Sequence, residues 1–292
     1  MKIPLRDITE EKWLEMRKRG VGGSDAAAAV GQSRWKCALR LYLEKIGHIT
    51  PAIQNERMLW GKKLEDVIAD HYKETHGRYV RKINYMFISD KHPYMLGDPD
   101  RIIAKDFRGP GILECKNTSA YRHEDWQDDV PIEAYLQLQH YLYVTGYKWG
   151  VIAGLVGGNM YRDKEFERDE ETIQMLIEKE GKFWQKVLSL EPPAADGSDD
   201  AERLLKELYP QAVDESEFML PDEAETWLSK LAELDEQKKS VEKEMDTIKQ
   251  RIKEHMKDEP KAYTPSFEVS WNNTKSGSRR FSWKARKLVE VE

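Results

Sequence analysis

Gly97 to Lys116, GDPDRIIAKDFRGPGILECK, is the stretch that most limits what this chain can fold into. Arg101-Ile102-Ile103-Ala104 reads as a strand, and Gly109-Pro110-Gly111 is a turn signal followed by the apolar pair Ile112 and Leu113. The Lys105 to Gly111 connection folds the second strand back on the first as an antiparallel hairpin. Side chains alternate along a strand, so Glu114 and Lys116 share one face and Cys115 takes the other. The fold-back is expected to bring Asp100 beside Glu114. Two carboxylates and an amine at one place suit a hard divalent cation and an attacking water. Magnesium takes one or two carboxylates and keeps several waters, and a lysine positions or deprotonates water. The other reading of the same residues is a surface hairpin with a Glu–Lys cross-strand pair worth under about 1 kcal/mol.

Upstream, Thr9 caps a helix through Lys12 to Met16, Gly20 to Gly23 ends it, and Ser24 and Asp25 cap another through Val30. This is either two helices joined by a glycine turn or a pocket in which Arg17, Ser24 and backbone amides hold an anion. Ala38 to Ile46 and Ala52 to Thr75 read as helices stopped by Gly47 and Gly77. In the longer one, Leu64, Val67, Ile68 and Tyr72 mark the buried side. Glu65 stands one residue off that stripe, either solvated or reaching inward toward the hairpin. Strands follow over Tyr79 to Ile88 and from Tyr94.

The polar segment Asn117 to Val130 is a loop, or a flap whose Tyr121 and Trp126 stack on frayed bases. Pro131 to Gly146 is a helix with Gln137 and Tyr141 on one face; buried amides are costly unless hydrogen bonded, so its glutamines suggest a site. Gly157-Gly158-Asn159 joins strands Gly150 to Val156 and Met160 to Glu167, and a helix from Glu170 to Leu188 ends the compact part. His71, His76, His92, His123 and His140 show no ligand-like spacing and are read as surface or substrate-side residues. The pattern gives an α/β (α+β) fold, a mixed sheet flanked by helices.

At 292 residues the chain accommodates one large domain or a domain with an appendage. A formal charge of -6 argues against a uniformly basic surface, so any nucleic-acid contact falls to a local groove or tail. Two cysteines, Cys37 and Cys115, without a C-x-x-C pair, suit a reducing compartment and offer no zinc site. With no apolar leader and no apolar run near the ~20 residues that span a bilayer, no membrane role and a cytoplasmic location are expected.

The expected organisation is a compact domain over 1–190, a turn-rich acidic linker over 191–221 containing PPAADGSDD, and an appendage over 222–292. In the appendage Trp227, Leu231, Leu234, Val241, Met245, Ile248 and Ile252 recur in steps of three and four, interrupted by Lys238. This heptad-like seam serves an intermolecular coiled coil or packs within the assembly. Ala262 to Leu288 alternates like a β-hairpin through Phe267, Val269, Trp271, Phe281 and Trp283. It carries Lys275, Arg279, Arg280, Lys284, Arg286 and Lys287, which either contact a nucleic-acid backbone or balance the acidic linker.

Asp98-Pro99-Asp100 ahead of Glu114-Cys115-Lys116 resembles the PD-(D/E)XK nuclease signature. Trp13-Leu14-Glu15-Met16-Arg17 leading into Gly20-Val21-Gly22-Gly23-Ser24-Asp25-Ala26-Ala27 resembles the opening motif of one branch, the YqaJ-like viral recombinases related to lambda exonuclease. Gly61-Lys62-Lys63-Leu64-Glu65 resembles that branch's G-x-x-x-E helix, and Gln137-Leu138-Gln139-His140-Tyr141 its Q-x-x-x-Y helix. The motifs keep the family's order over roughly residues 10 to 190; each is weak alone and together they are specific.

The resemblance implies a restriction-endonuclease-like core and a Mg2+-dependent exonuclease, with Mn2+ as a substitute. It would act on double-stranded DNA from 5' ends and leave single-strand overhangs for phage-type recombination. By the same resemblance, Asp100, Glu114, the Cys115 backbone carbonyl and Glu65 bind metal, Lys116 serves the water and Gln137 assists. Arg17 and Ser24 grip a terminal 5'-phosphate, while Arg279, Arg280 and Lys284 are further DNA-binding candidates. The implied partner is a single-strand annealing recombinase protein, the assembly a homo-oligomeric ring (a trimer), and the setting a bacterial host cell carrying phage or prophage. Asp98 departs from the family pattern, which has a serine near the phosphate; its carboxylate either repels DNA or joins the metal site. The alternatives are a PD-(D/E)XK endonuclease and a catalytically silent DNA-binding or scaffold protein.

Overall fold

The computed structural model describes residues 1–50, 56–212 and 217–286. Its contacts divide the chain into two compact units, Met1–Ala212 and Val213–Glu292. The first unit opens with β1 (Lys2–Pro4) and α1 (Glu10–Arg17), whose cap is the Thr9 hydroxyl accepting from the Lys12 amide at 3.3 Å. A two-residue strand, β2 (Val21–Gly22), and a turn over Gly23–Asp25 lead into the short alanine helix α2 (Ala26–Ala29). Helices α3 (Ala38–Lys45) and α4 (Glu56–His76) follow; the expected start of the latter at Ala52 lies outside the described residues. Gly47 and Gly77 adopt left-handed φ values of 75° and 61° just past these helices, as stop signals should.

Next come β3 (Val80–Lys82), β4 (Tyr85–Ile88), β5 (Met95–Gly97), β6 (Arg101–Ile103) and β7 (Gly111–Thr118). Then α5 (Ile132–Thr145), β8 (Trp149–Val156), β9 (Met160–Glu167), α6 (Glu170–Ser189) and α7 (Asp199–Leu208) complete the unit.

The central sheet has the order β3-β6-β7-β8-β9, with β7 and β8 parallel and every other neighbouring pair antiparallel. Parallel neighbours need a crossover, which α5 supplies. On one face α4 packs Ile68, Ala69 and Tyr72 against Ile103, Leu113, Cys115, Val151 and Ala153. On the other face α5 packs Leu138, Tyr141 and Leu142 against Ile112, Ile152 and Val156. Strand β7 therefore turns Leu113 and Cys115 toward α4, and its other parity, Ile112, Glu114 and Lys116, toward α5. Burying an Ile or Leu side chain stabilises by about 1.5–3 kcal/mol, so a one-residue slip of β7 forfeits several such terms and the register is fixed. A second sheet, β1-β4-β5-β2, lies in the same unit, its β2 pairing parallel to β5 through Val21 and Met95.

Several expectations are corrected by tertiary contacts. The single strand over Tyr79 to Ile88 is two, because the chain leaves the central sheet after β3 and β4 pairs with β1; the break at Asn84 is held by its carbonyl accepting from the Leu5 amide at 2.8 Å. Val67 is 56% exposed: α4 meets the sheet through Leu64, Ile68, Ala69 and Tyr72, and Val67 falls off that stripe. Trp126 is core rather than a stacking platform, lying where a Cβ on Gly154 would come within 2.3 Å of its ring, while Tyr121 stays exposed. His140 is fully buried between Glu180 (3.0 Å from Nδ1) and the Leu96 carbonyl (2.7 Å from Nε2), tying α5 to α6 and β5. Within the stretch expected as a linker, Ser198 caps α7, whose Ala201 and Leu204 pack on Cys37.

The second unit contains α8 (Glu223–Met256) and the antiparallel sheet β10 (Lys261–Tyr263), β11 (Phe267–Asn273) and β12 (Arg279–Ala285). The expected hairpin is β11–β12, with Val269 opposite Trp283. Arg279 is not free for a phosphate: its guanidinium lies 3.6 Å from the Trp271 ring centroid and donates to the carbonyls of Trp271, Lys257 and Glu259. Lys284 pairs with Glu268 at 3.2 Å, and Arg280 is exposed. Lys287 and Leu288 lie outside the described residues. Among the described residues, no helix is long and apolar enough to cross a membrane.

Candidate active site

The register of β6 on β7 sets Arg101 opposite Leu113, so one step back Asp100 meets Glu114. The Asp100 carboxylate accepts from the Cys115 amide at 2.9 Å. Lys116 Nζ donates to Glu114 Oε1 at 2.9 Å and to Gln137 Oε1 at 2.6 Å. Gln137 Nε2 in turn donates to Glu114 Oε1 at 2.6 Å and to the Tyr141 hydroxyl at 3.2 Å. Glu114 is 2% exposed, which rules out the weak surface pair. Its Oε2 is buried with no hydrogen-bond partner in the protein. An orphaned carboxylate oxygen carries a real desolvation cost unless something else meets it.

Electrostatics follow from that shortage of positive charge. Burial, then Asp100, pushes the Glu114 carboxyl up to about 8. Burial, then Asp100, pushes Glu65 on α4 up to about 7. Burial also raises Asp100. Lys116 is opposed by burial, yet Glu114 and Asp100 outweigh it and hold the ammonium above its ordinary range. Burial pushes the Cys115 thiol well up, so it offers no thiolate. Glu65 faces the cluster across Arg101, 3.7 Å away; Arg101 is itself buried and also pairs with Asp66. Among the described residues, no three His, Cys, Asp or Glu side chains form a ready-made metal cage. The acidic set is instead two hairpin carboxylates with Glu65 to the side, the sparse oxygen set that Mg2+ accepts when waters complete it.

A second cluster surrounds the glycine motif. Arg17 Nη2 donates to Ser24 Oγ and to Asp25 Oδ2, both at 2.7 Å. Asp25 also accepts from Lys45 Nζ at 2.8 Å and the Gly22 amide at 3.3 Å. Burial opposes ionisation of Asp25, but Arg17 and Lys45 outweigh it and hold the carboxyl far below its usual range. The sequence reads Asp25 as a helix cap; no side-chain cap bond forms, because two cations claim it. The glycines are spacing devices: a Cβ at Gly22 would lie 3.1 Å from the Arg17 guanidinium, and one at Gly23 2.3 Å from the Tyr141 ring. Asp98 accepts from Trp13 Nε1 at 3.1 Å; burial raises its carboxyl against the pull of Arg17. Tyr141 thus touches both clusters, its ring under Gly23 and its hydroxyl on Gln137.

The structure therefore brings Asp100, Glu114, Lys116 and Gln137 together, sets Glu65 beside them, and places Arg17 and Ser24 in contact. Arg279, Arg280 and Lys284 belong to the second unit. The sequence gives Lys45 and Arg101 no part in a site and Asp25 only that of a helix cap, because their signal is tertiary charge pairing; Tyr141 is placed on the face of Gln137 without a role of its own.

The chain is similar in sequence and in fold to known proteins. Residues 12–148 match the YqaJ-like viral recombinase domain, a span that holds every one of these first-unit site residues. The uncharacterized protein YqaJ of Bacillus subtilis (strain 168) is 33% identical over 270 residues, covering 91% of this chain and 84% of the relative. The chain belongs to the YqaJ-like viral recombinase family. The fold of this family member is also seen in an alkaline exonuclease (LHK-Exo) from Laribacter hongkongensis, at 17% identity and a TM-score of 0.52, over 68% of this chain and 97% of that one. The structure of LHK-Exo in complex with dAMP is similar at 18% identity and the same TM-score and coverage. The expected α/β fold, a PD-(D/E)XK-like core with mixed sheets flanked by helices, is the observed one.

Proposed function

We propose that this YqaJ-like protein is a divalent-cation-dependent DNA exonuclease that hydrolyses phosphodiester bonds of linear duplexes. The observation that carries this reading is the convergence of Asp100, Glu114 and Lys116, with Glu114 Oε2 buried and unpartnered. An all-oxygen donor set short of positive charge fits a hard cation, and Mg2+, with Mn2+ as substitute, fits best. Asp100, Glu114 and the Cys115 backbone carbonyl would hold it, with Glu65 completing the acidic set. When bound, the cation polarises a phosphoryl oxygen and makes water a better nucleophile near neutral pH.

The chain's own residues do the rest. Gln137 fixes both Glu114 and Lys116 through two hydrogen bonds of 2.6 Å, so the acid and the amine cannot turn independently. Lys116 holds its proton at Nζ because of the adjacent carboxylates, and in that state it orients water and donates to a phosphate oxygen. Burial opposes the charge on Nζ, so weaker negative charge facing it would favour release of its proton and turn it toward a base. Arg17 and Ser24 supply charge-assisted and neutral donors suited to a terminal 5'-phosphate, which gives 5'-to-3' polarity. The overhangs so produced would pass to a single-strand annealing protein, and the nuclease unit would assemble as a ring.

Digestion of end-labelled linear duplex beside covalently closed circles, with Mg2+, tests the reading. Linear duplex degraded from its ends with circles intact is expected. Cleaved circles would identify an endonuclease, and no cleavage of either would leave a DNA-binding or scaffold protein.

A further inference from the structure

Helix α8 is a 34-residue rod, about 50 Å long at 1.5 Å per residue, and its apolar stripe is left open. Trp227, Leu231, Leu234, Val241, Met245 and Ile248 are each 46–65% exposed. Their steps of four and three fit a strict heptad with Leu231, Lys238, Met245 and Ile252 at a and Trp227, Leu234, Val241 and Ile248 at d. A strict seven-residue repeat is the signature of helices wound on one another rather than of a helix lying on a sheet. The charges flanking the seam say what it meets. The g positions are Lys230, Gln237, Glu244 and Arg251, and the e positions Leu228, Asp235, Glu242 and Lys249.

In a parallel, in-register pair each g residue faces the e residue five positions on in its neighbour. Lys230 then meets Asp235 and Glu244 meets Lys249, both attractive, while Gln237 with Glu242 is neutral. In the antiparallel pairing that best overlaps the seam, Lys230 meets Arg251 and Asp235 meets Glu242, both repulsive. That pairing also sets Lys238 against Val241, whereas the parallel one stacks lysine on lysine at a single layer, an arrangement that lowers stability but pins the register. Unbranched Leu231 and Met245 at a with β-branched Val241 and Ile248 at d reverse the two-stranded preference and favour more strands, against Leu234 at d and Ile252 at a, which follow it. Lys230, Asp235 and Lys249 also have partners on their own helix, at 2.7 to 2.9 Å. The interhelical pairs therefore select orientation more than they add affinity.

We infer that α8 is a self-association element: copies of this chain join through it as a parallel, in-register bundle of three or four helices. This contact is independent of any ring built by the nuclease unit and of the activity proposed above.

The test is oxidative cross-linking of the full-length protein through a single introduced cysteine. The native Cys37 and Cys115 are buried and stay out of the reaction. Leu234→Cys, on the seam, is expected to form intermolecular disulfides in most chains, while Glu236→Cys, on the outer face, forms few. In the Leu234→Cys background, Glu244→Lys should reduce the yield severalfold and Glu244→Lys with Lys249→Glu should restore it. Light scattering of the wild-type chain should give a mass of three or more copies. A wild-type mass of one or two chains, equal cross-linking at 234 and 236, or no restoration by the charge swap would overturn the inference.

Discussion

Two buried charge clusters lie on either side of Tyr141, and they are neutralised in opposite ways. Around Asp25, two cations serve one carboxylate, and the carboxyl is held far below its normal range. Around Glu114, one ammonium serves two carboxylates with a third nearby, and the Glu114 and Glu65 carboxyls are pushed up to about 8 and about 7. The first cluster is electrostatically complete; the second lacks positive charge that folding does not provide. A completed buried pair acts as structure, and removing one partner leaves an uncompensated charge. An incomplete one costs stability that is justified only by what it later binds, which is where active sites are found.

The two clusters should differ most in turnover. Glu114→Gln or Lys116→Ala should lower Mg2+-supported cleavage by at least about a hundredfold, since either removes charge used in the reaction. Both variants should stay folded and retain DNA in a gel-shift assay; near-normal turnover in either would dissolve the contrast. Stability should run the other way. Asp25→Asn leaves Arg17 and Lys45 without their carboxylate and should cost about 3–5 kcal/mol in urea unfolding. Glu114→Gln in metal-free protein should cost little or be stabilising, because the strained carboxylate is gone. Equal losses would show that both clusters are structural.

A smaller effect separates the anion role of the first cluster from its scaffold role. Charge-assisted hydrogen bonds contribute on the order of 1.5–3 kcal/mol, so 5'-phosphorylated duplex should be digested roughly tenfold faster than 5'-hydroxyl duplex. Arg17→Ala should shrink that preference mainly by slowing the phosphorylated substrate. A preference untouched by the substitution would leave Gly20 to Asp25 as a helix junction.

The smallest effect is on pH dependence. Glu114 and Glu65 have raised folded pKa values, so as pH climbs from about 4.5 to about 8 the unfolded chain loses these protons first and the metal-free protein loses stability. Asp25 is depressed, so its contribution is present above its unfolded pKa and is lost only as pH falls into the acid range. Mg2+ should therefore raise the Tm more at pH 8 than at pH 5.5. An equal shift at both values would argue against binding at these carboxylates.

What was legible in the sequence was whatever depends on neighbours along the chain. The alternation in Ile112 to Lys116 and the turn at Gly109 to Gly111 put Glu114 and Lys116 on one face with Asp100 nearby but left a surface pair open; the family resemblance chose the site and added Gln137 and Glu65. Residues whose surroundings come from distant segments were misread. Trp126 reads as part of a polar loop or as a stacking platform, and its place in the core depends on Gly154, on another strand, making room for it. His140 is buried because Glu180 on α6 and the Leu96 carbonyl receive it. Arg279 reads as a nucleic-acid contact or as a balance to the acidic linker, but three backbone carbonyls and the Trp271 ring hold it. Asp25 could be read only as a cap, since Lys45 lies twenty residues away.

If the Glu114 cluster is built for a divalent cation used in DNA hydrolysis, one titration should show it. Release of label from 5'-phosphorylated linear duplex is followed against Mg2+ concentration in the wild-type protein and in Glu114→Gln. Expected are no turnover in chelator, a saturable rise with Mg2+ in the wild type, and a flat trace for Glu114→Gln at every concentration. Turnover that persists in chelator, or a Glu114→Gln trace that follows the wild type, would contradict that role of the cluster.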